Sequence, residues 1–441
     1  YTDSYRNTFF VDVLEYFRWT STFKDMGAVV PGQSSAVSTD LEALKQVPSV
    51  TNGAASDSSE SQSAEKEVSQ EKDPFLVEFS GPDDPEHPHN WSTGKRTAVI
   101  IQVMLLTSVT YMGSSIYTPG QEQIQQEFNV GHVVGTLNLS MYVLGYGLGP
   151  IFFSPLSEFA KIGRQPLYII TFFLFAMLQI GTALVKNIAG LVILRFITGI
   201  LCSPSLATGG ATVGDIVPPD YVPLFIGLWS VGAVSAPVVG PLLGAAMVDA
   251  KDWRWIFWLL MWLASATLIV LVFFFPETSE DSILYRRAIR LRRITGDDRY
   301  YTAKAKSEDR LSLKEIMVIA LYRPFEIIVK EPIVAAIDIY IALCYGTFYL
   351  FFEAFPIVFG GIYHFTLIEI GLAFMGFCVG CVIAYAICIV FLMKVVAKKA
   401  KNDKFTPETF MILAMATCLC LPLSLFLFGW AAGVHWILPI I

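Results

Sequence analysis

The stretch IAGLVILRFITGILCSPSLATGG, residues 188–210, carries a single charge, Arg195, in a run otherwise apolar or built of small residues. A helix needs roughly 20 such residues to cross a hydrocarbon core about 30 Å thick. A guanidinium at that depth costs at least about 2.5 kcal/mol on insertion scales, so it is expected to face a polar cavity instead of lipid. Runs of the same character lie at 97–117, 132–153, 166–186, 222–248, 253–276, 333–359, 366–393 and 409–430, and a tenth starts near Trp436. Nine spans and the start of another cannot share one soluble core. The expected fold class is an all-α polytopic membrane protein.

Composition excludes the soluble alternatives. Charged residues make up 16% of the 441, against roughly 25% in soluble domains. Aromatics reach 14%, 33 residues are Phe, and the mean hydropathy is +0.55. A dispersed soluble enzyme would expose too much apolar surface at these proportions. The net charge of −7 is also local, because residues 1–90 hold 16 Asp/Glu against 6 Lys/Arg. No lysine-rich, aromatic-interleaved groove points to nucleic acid. The seven cysteines sit in apolar stretches, where Cys acts as a small hydrophobe. Cys378 and Cys381 have CxxC spacing with no His or second pair nearby, so neither a metal nor a disulfide framework is expected. No P-loop, HExxH or GxSxG is present, so the chain is not read as an enzyme and no cofactor is expected.

The chain divides into four parts: an acidic, largely disordered tail (1–96), a six-span half (97–276), a basic linker (277–332) and an incomplete second half (333–441). Within the tail, residues 1–22 suit an amphipathic surface helix. Residues 31–90 have too few large apolar side chains to offset their ordering entropy. The chain lacks an initial Met and stops at Ile441 inside an apolar run, so it reads as a piece of a longer protein. Lys161 and Arg164 follow span 2, five lysines follow span 8, and the linker holds 12 basic residues. These place the even-numbered loops and the N-terminal tail in the cytoplasm, with Lys251 and Arg254 after span 5 against the pattern. Two halves around a midplane site suit alternating access, although periodicity alone leaves a receptor or channel open.

Particular motifs narrow this. Leu191, Arg195 and Gly199 form L-x3-R-x3-G, and Gly227, Ala236, Gly240, Pro241, Gly244 and Ala245 follow G-x8-G-x3-G-P-x2-G-G with Ala at two Gly positions. The loop after span 2 reads Ser154-Pro155-Leu156-Ser157-Glu158, then Gly163-Arg164. Further stretches stand along the chain: Asp84-Pro85-Glu86-His87-Pro88, Tyr117-Thr118-Pro119, Trp253-Arg254-Trp255, Pro276-Glu277-Thr278 and Phe351-Phe352-Glu353-Ala354-Phe355-Pro356. From about residue 83 onward it resembles the major facilitator superfamily, and within it the fungal 12-spanner drug:proton antiporters of the fluconazole/benomyl multidrug-resistance type. The loop after span 2 departs from the pattern, with two extra residues between Glu158 and Gly163.

The resemblance implies a fold of two six-helix halves, the second truncated here, and roles for several residues. Arg195 would take part in proton coupling, with a fixed carbonyl partner as the structural alternative. Glu353 in span 7 is the better carboxylate for carrying the proton, because Asp338 lies near a span end. Glu158, Gly163, Arg164 and Asp215 would form a cytoplasmic gate, in which Arg–carboxylate pairing holds the inner side shut. Gly227, Gly240, Pro241 and Gly244 would form a tight, kinked seam. Tyr111, Tyr117, Tyr345, Phe348, Tyr349, Phe352 and Phe355 form an aromatic group able to hold flat apolar compounds. Trp253, Trp255 and Trp258 read as interfacial anchors. The expected activity is proton-coupled export of small hydrophobic drugs across a fungal plasma membrane. The partners are drugs, protons and lipid, without nucleic acid, and the chain is taken as a monomer. A polyamine or metabolite exporter, a receptor without transport, or an inactive fragment are the alternatives.

Overall fold

The computed structural model describes residues 8–9, 73–309, 313–401 and 406–431. The surface helix expected over 1–22, apart from Thr8 and Phe9, and the tenth span near Trp436 lie outside these residues. Among the described residues, nine helical stretches are long and apolar enough to cross a membrane. The first half comprises α1 (Thr93–Ser115), α2 (His132–Ser157), α3 (Gln165–Leu184), α4 (Ile188–Ile216), α5 (Val222–Ala250) and α6 (Arg254–Phe274). The linker folds as α7 (Glu280–Thr295), α8 (Ala303–Glu308) and α9 (Leu313–Lys330). The second half contains α10 (Pro332–Phe355), α11 (Leu367–Phe391), α12 (Met411–Thr417) and α13 (Cys420–Ala431). A short helix, Gln121–Phe128, joins α1 to α2.

Helix starts follow local chemistry. Asn187 accepts the Gly190 amide at 2.6 Å to open α4. Thr366 and Glu369 form a reciprocal capping box at α11, satisfying donors that a first turn leaves orphaned. Backbones approach most closely where side chains are missing. A Cβ on Gly199 would overlap the Tyr142 carbonyl, and one on Gly145 would overlap that of Phe196. These two glycines set the α2–α4 crossing.

The two halves meet along α5 and α11, where Gly371 lies against the backbone of Leu242 and Tyr385 Oη donates to the Leu224 carbonyl at 3.0 Å. They meet again between the ends of α1 and α10, at the face opposite the linker. Trp253, expected as an interfacial anchor, is instead 2% exposed. It donates from Nε1 to Glu127 at 2.6 Å and packs edge-on against Phe257. Arg254 beside it pairs with Glu127 at 2.8 Å and caps the Val185 carbonyl at 3.1 Å.

The tail departs from the expected lack of structure at 73–90. Val77 packs with Ala288 and Leu291 of α7 in a small buried cluster. Its amide donates to the Tyr301 carbonyl at 2.8 Å, and Tyr301 returns a bond to Phe75 at 3.0 Å. The apolar content of this stretch is too small for a core of its own, but it suffices against a preformed helix.

Candidate functional site: a capped helix end, a seam and two faces of closure

Arg195 is completely buried. Nη1 donates to the Gly113 carbonyl at 2.6 Å, Nη2 to Ser114 at 3.0 Å and Nε to Asn138 at 3.3 Å. The guanidinium lies 4.3 Å from the centre of the Tyr142 ring. The last four carbonyls of a helix lack intrahelical donors, and α1 ends at Ser115. The Met112 carbonyl receives the Ile116 amide, and Arg195 takes the next two. The negative end of the helix dipole and the aromatic face together offset the buried charge. The expectation that Arg195 faces a polar cavity is therefore corrected: its surroundings are carbonyls and rings, and it caps α1 from α4.

The glycine-proline motif forms the α1–α5 seam. Pro241 has no N–H to give the carbonyl four residues back, which is that of Pro237. Ser115 Oγ of α1 donates to this freed carbonyl. A Cβ on Gly240 would lie 2.6 Å from Ser115 Oγ, and one on Gly244 would overlap the Ile116 carbonyl. Gly227 stands elsewhere, beneath the Tyr385 ring at the α5–α11 contact.

At the linker face, Arg164 Nε lies 2.8 Å from Asp215 Oδ2, and Nη2 donates to Oδ1 at 3.1 Å. Glu158 is exposed and has no ion pair among the described residues, which corrects its place in the gate. The carboxylate that organises this loop is Glu277. It is fully buried and accepts the amides of Arg164 (3.1 Å), Gln165 (3.3 Å), Thr278 (3.0 Å) and Ser279 (3.1 Å), plus Arg286 Nη2 (3.1 Å). The two extra loop residues are absorbed by a helical turn, in which the Gly163 amide reaches the Phe159 carbonyl at 2.9 Å. Gly163 ends that turn at φ 73°, a conformation glycine adopts without Cβ strain. Its missing side chain leaves room for Glu277 and Ser282. The Ala160 amide points at both oxygens of Glu308 (3.1 and 3.2 Å), and burial pushes the Glu308 carboxyl up. Lys161 pairs with Asp309.

At the far face, Glu353 Oε2 lies 3.7 Å from His132 Nε2, across the two halves. Tyr111 and Tyr345 share a hydroxyl contact at 3.2 Å, and Tyr349 meets Ser114 at 3.0 Å. Tyr146 of α2 stands 6.0 Å from the Tyr111 ring. Trp229 of α5 donates to Thr107 at 3.1 Å. Neither residue was found in the sequence, because a scattered aromatic on a mostly apolar helix carries no facing signal.

Three members of the expected aromatic group do not line an interface between α1 and α10. Tyr117 is buried and donates to the Gly135 carbonyl at 2.9 Å. Phe352, 1% exposed, stacks on Phe374 at 5.2 Å. Phe355 stacks on Phe374 at 4.4 Å and on Phe428 at 5.6 Å. Phe348 bridges the two sets, contacting both Tyr349 and Phe352 edge-on.

Comparison with known proteins agrees with this layout. The family model described as Major Facilitator Superfamily matches residues 103–441. The multidrug transporter FLR2 of Candida glabrata is 57% identical over 100% of this chain and 82% of its own length. Fluconazole resistance protein 1 of Saccharomyces cerevisiae is 57% identical over 100% of this chain and 81% of its own. Transporter mfs1 of Schizosaccharomyces pombe is 46% identical over 83% of this chain. With the family model spanning most of the chain and relatives this similar, the protein belongs to the major facilitator superfamily and is an all-α, multi-pass membrane protein.

Proposed function

We propose that the protein exports small hydrophobic compounds by alternating access, in exchange for protons, from a plasma membrane in which the tail and linker face the cytoplasm. The observation that supports this best is the polar meeting of the halves at the far face. Tyr111–Tyr345, Ser114–Tyr349 and His132–Glu353 all close the far end. Toward the linker face the halves touch through Tyr385, whose hydroxyl donates to the Leu224 carbonyl at 3.0 Å. A second set of polar contacts, Arg164–Asp215 and the Glu277 loop, is made within the first half at the linker face. A few polar contacts between the halves can be broken and remade at little cost, as a two-state transporter needs. The names of the relatives, a multidrug transporter and a fluconazole resistance protein, support drugs as the cargo.

In this reading Glu353 carries the proton. Arg195 acts through Ser114, fixing the carbonyl of the residue whose hydroxyl meets Tyr349. Tyr111, Tyr146, Tyr345, Tyr349 and Phe348 offer flat, amphipathic contacts to the substrate. The test is efflux of a fluorescent azole-like compound from cells making the full-length chain, with and without a protonophore. Efflux should stop with the protonophore, and Arg164→Ala should abolish it while leaving insertion intact. Efflux indifferent to the protonophore removes proton coupling, and normal efflux by Arg164→Ala removes the gate.

A further inference from the structure

We propose that residues 73–92 of the tail are a brace that holds the linker-face gate in shape, acting through α7. The inference rests on the transport reading above only for its consequence for export; the brace itself rests on contacts. Successive residues on a helix point about 100° apart, while positions three apart share a face. Arg286 of α7 therefore turns inward, where Nη1 and Nη2 both reach Gln165 Oε1 at 3.2 Å and Nη2 reaches Glu277. Arg287 and Arg290 turn outward to the tail. Arg287 Nη1 donates to Asp84 at 2.7 Å and Nη2 to Ser80 at 3.0 Å. Arg290 Nη2 donates to Glu86 at 3.0 Å. His87 Nε2 faces Glu280 at 3.4 Å, while its Nδ1 accepts the His89 amide.

The tail side is itself preformed. Asp84 accepts the amides of Ser80 (2.8 Å) and Glu86 (2.9 Å), and Asn90 donates to the Pro82 and Asp84 carbonyls. Asp84 and Glu86 have 3% and 12% of their side chains exposed, so these pairs are less screened than surface bridges. One rigid helix thus carries tail contacts on one face and the gate-loop contacts on the next. Releasing the first face frees α7 to move, and with it the carboxylate that holds the amides of Arg164 and Gln165.

The test uses the full chain in native membranes. Glu86→Arg and Arg290→Glu are made singly and together in a chain whose seven native cysteines are replaced by alanine, each with Ile162→Cys as the one reporter thiol on the gate loop. Each single reversal should raise trypsin cleavage at Arg292 and Arg293 and speed maleimide labelling at position 162 about fivefold, and should slow export. The double exchange should restore all three in part, because Arg287, 3.9 Å from Glu86, then faces an arginine. Faster cleavage with unchanged labelling at position 162 would show that the tail does not reach the gate. Failure of the double exchange to restore labelling would also overturn the brace. If the parent chain exports nothing, the transport reading fails, and the labelling arm still decides the brace.

Discussion

Replacing Arg195 with lysine separates architecture from charge. Lysine keeps the positive charge but presents a compact ammonium in place of a planar fork. Arg195 donates to three carbonyls on two helices at 2.6, 3.0 and 3.3 Å, and an ammonium on a straight stem can satisfy one of those directions well. Hydrogen bonds to a charged group contribute about 1.5–3 kcal/mol each, so losing two at the low end is about 3 kcal/mol. At 1.4 kcal/mol per factor of ten, that is about 100-fold in local opening. Cys202 reports on it, because its thiol is 1% exposed and lies two turns along the same helix. With the other six cysteines replaced by alanine, Arg195→Lys should speed thiol labelling of Cys202 about 100-fold. Labelling as slow as in the parent would refute the capping argument. Lost export without faster labelling would give the guanidinium a chemical role instead.

Other outcomes follow from the same geometry. Gly199→Val drives a branched side chain into the Tyr142 carbonyl, so the α2–α4 crossing should open at a cost of about 3 kcal/mol or more, seen as loss of the monodisperse peak in detergent. Glu353→Gln removes the charge facing His132, with Tyr117 and, beyond it, Arg195 the other titratable groups on that side. Export driven by an imposed proton gradient should be lost in the variant while insertion is kept; unchanged export counts against Glu353 as the proton carrier. Burial pushes the Asp84 carboxyl up, but the Ser80 and Glu86 amides and the Arg287 guanidinium outweigh it and hold it below its usual range. Its contribution is therefore complete above the ordinary carboxylate value of about 3.9 and lost as pH falls through the lowered one. Tail proteolysis in inside-out vesicles should stay flat down to about pH 4 and rise below it.

The span pattern made the nine membrane crossings legible, because length and apolarity are sequence-local properties. It stopped α4 at 210, where the helix runs to Ile216, and it left the linker helices unread. Gly240 and Pro241 were equally legible as a seam, since a missing Cβ and a missing N–H act wherever the helix goes. The surroundings of Arg195 were not, because they depend on where α1 happens to end and which carbonyls that leaves unpaired. Glu158 drew attention by sitting beside Arg164 in the chain, yet Glu277 reaches the Arg164 amide from 113 residues away. Span 7 shows the same limit. Its aromatics form one stripe in sequence, but Phe352 and Phe355 pack within the second half while Tyr345 and Tyr349 cross to the first.

The separation between Arg164 and Glu277 has a consequence for biogenesis. As the chain emerges from the ribosome, the turn after α2 is made long before the carboxylate that receives its amides. Those amides must wait, hydrated, until α6 has been threaded and its end has folded back. The first half therefore completes its linker face only once residue 277 has been made, and a chain stalled before it would leave those amides without their acceptor.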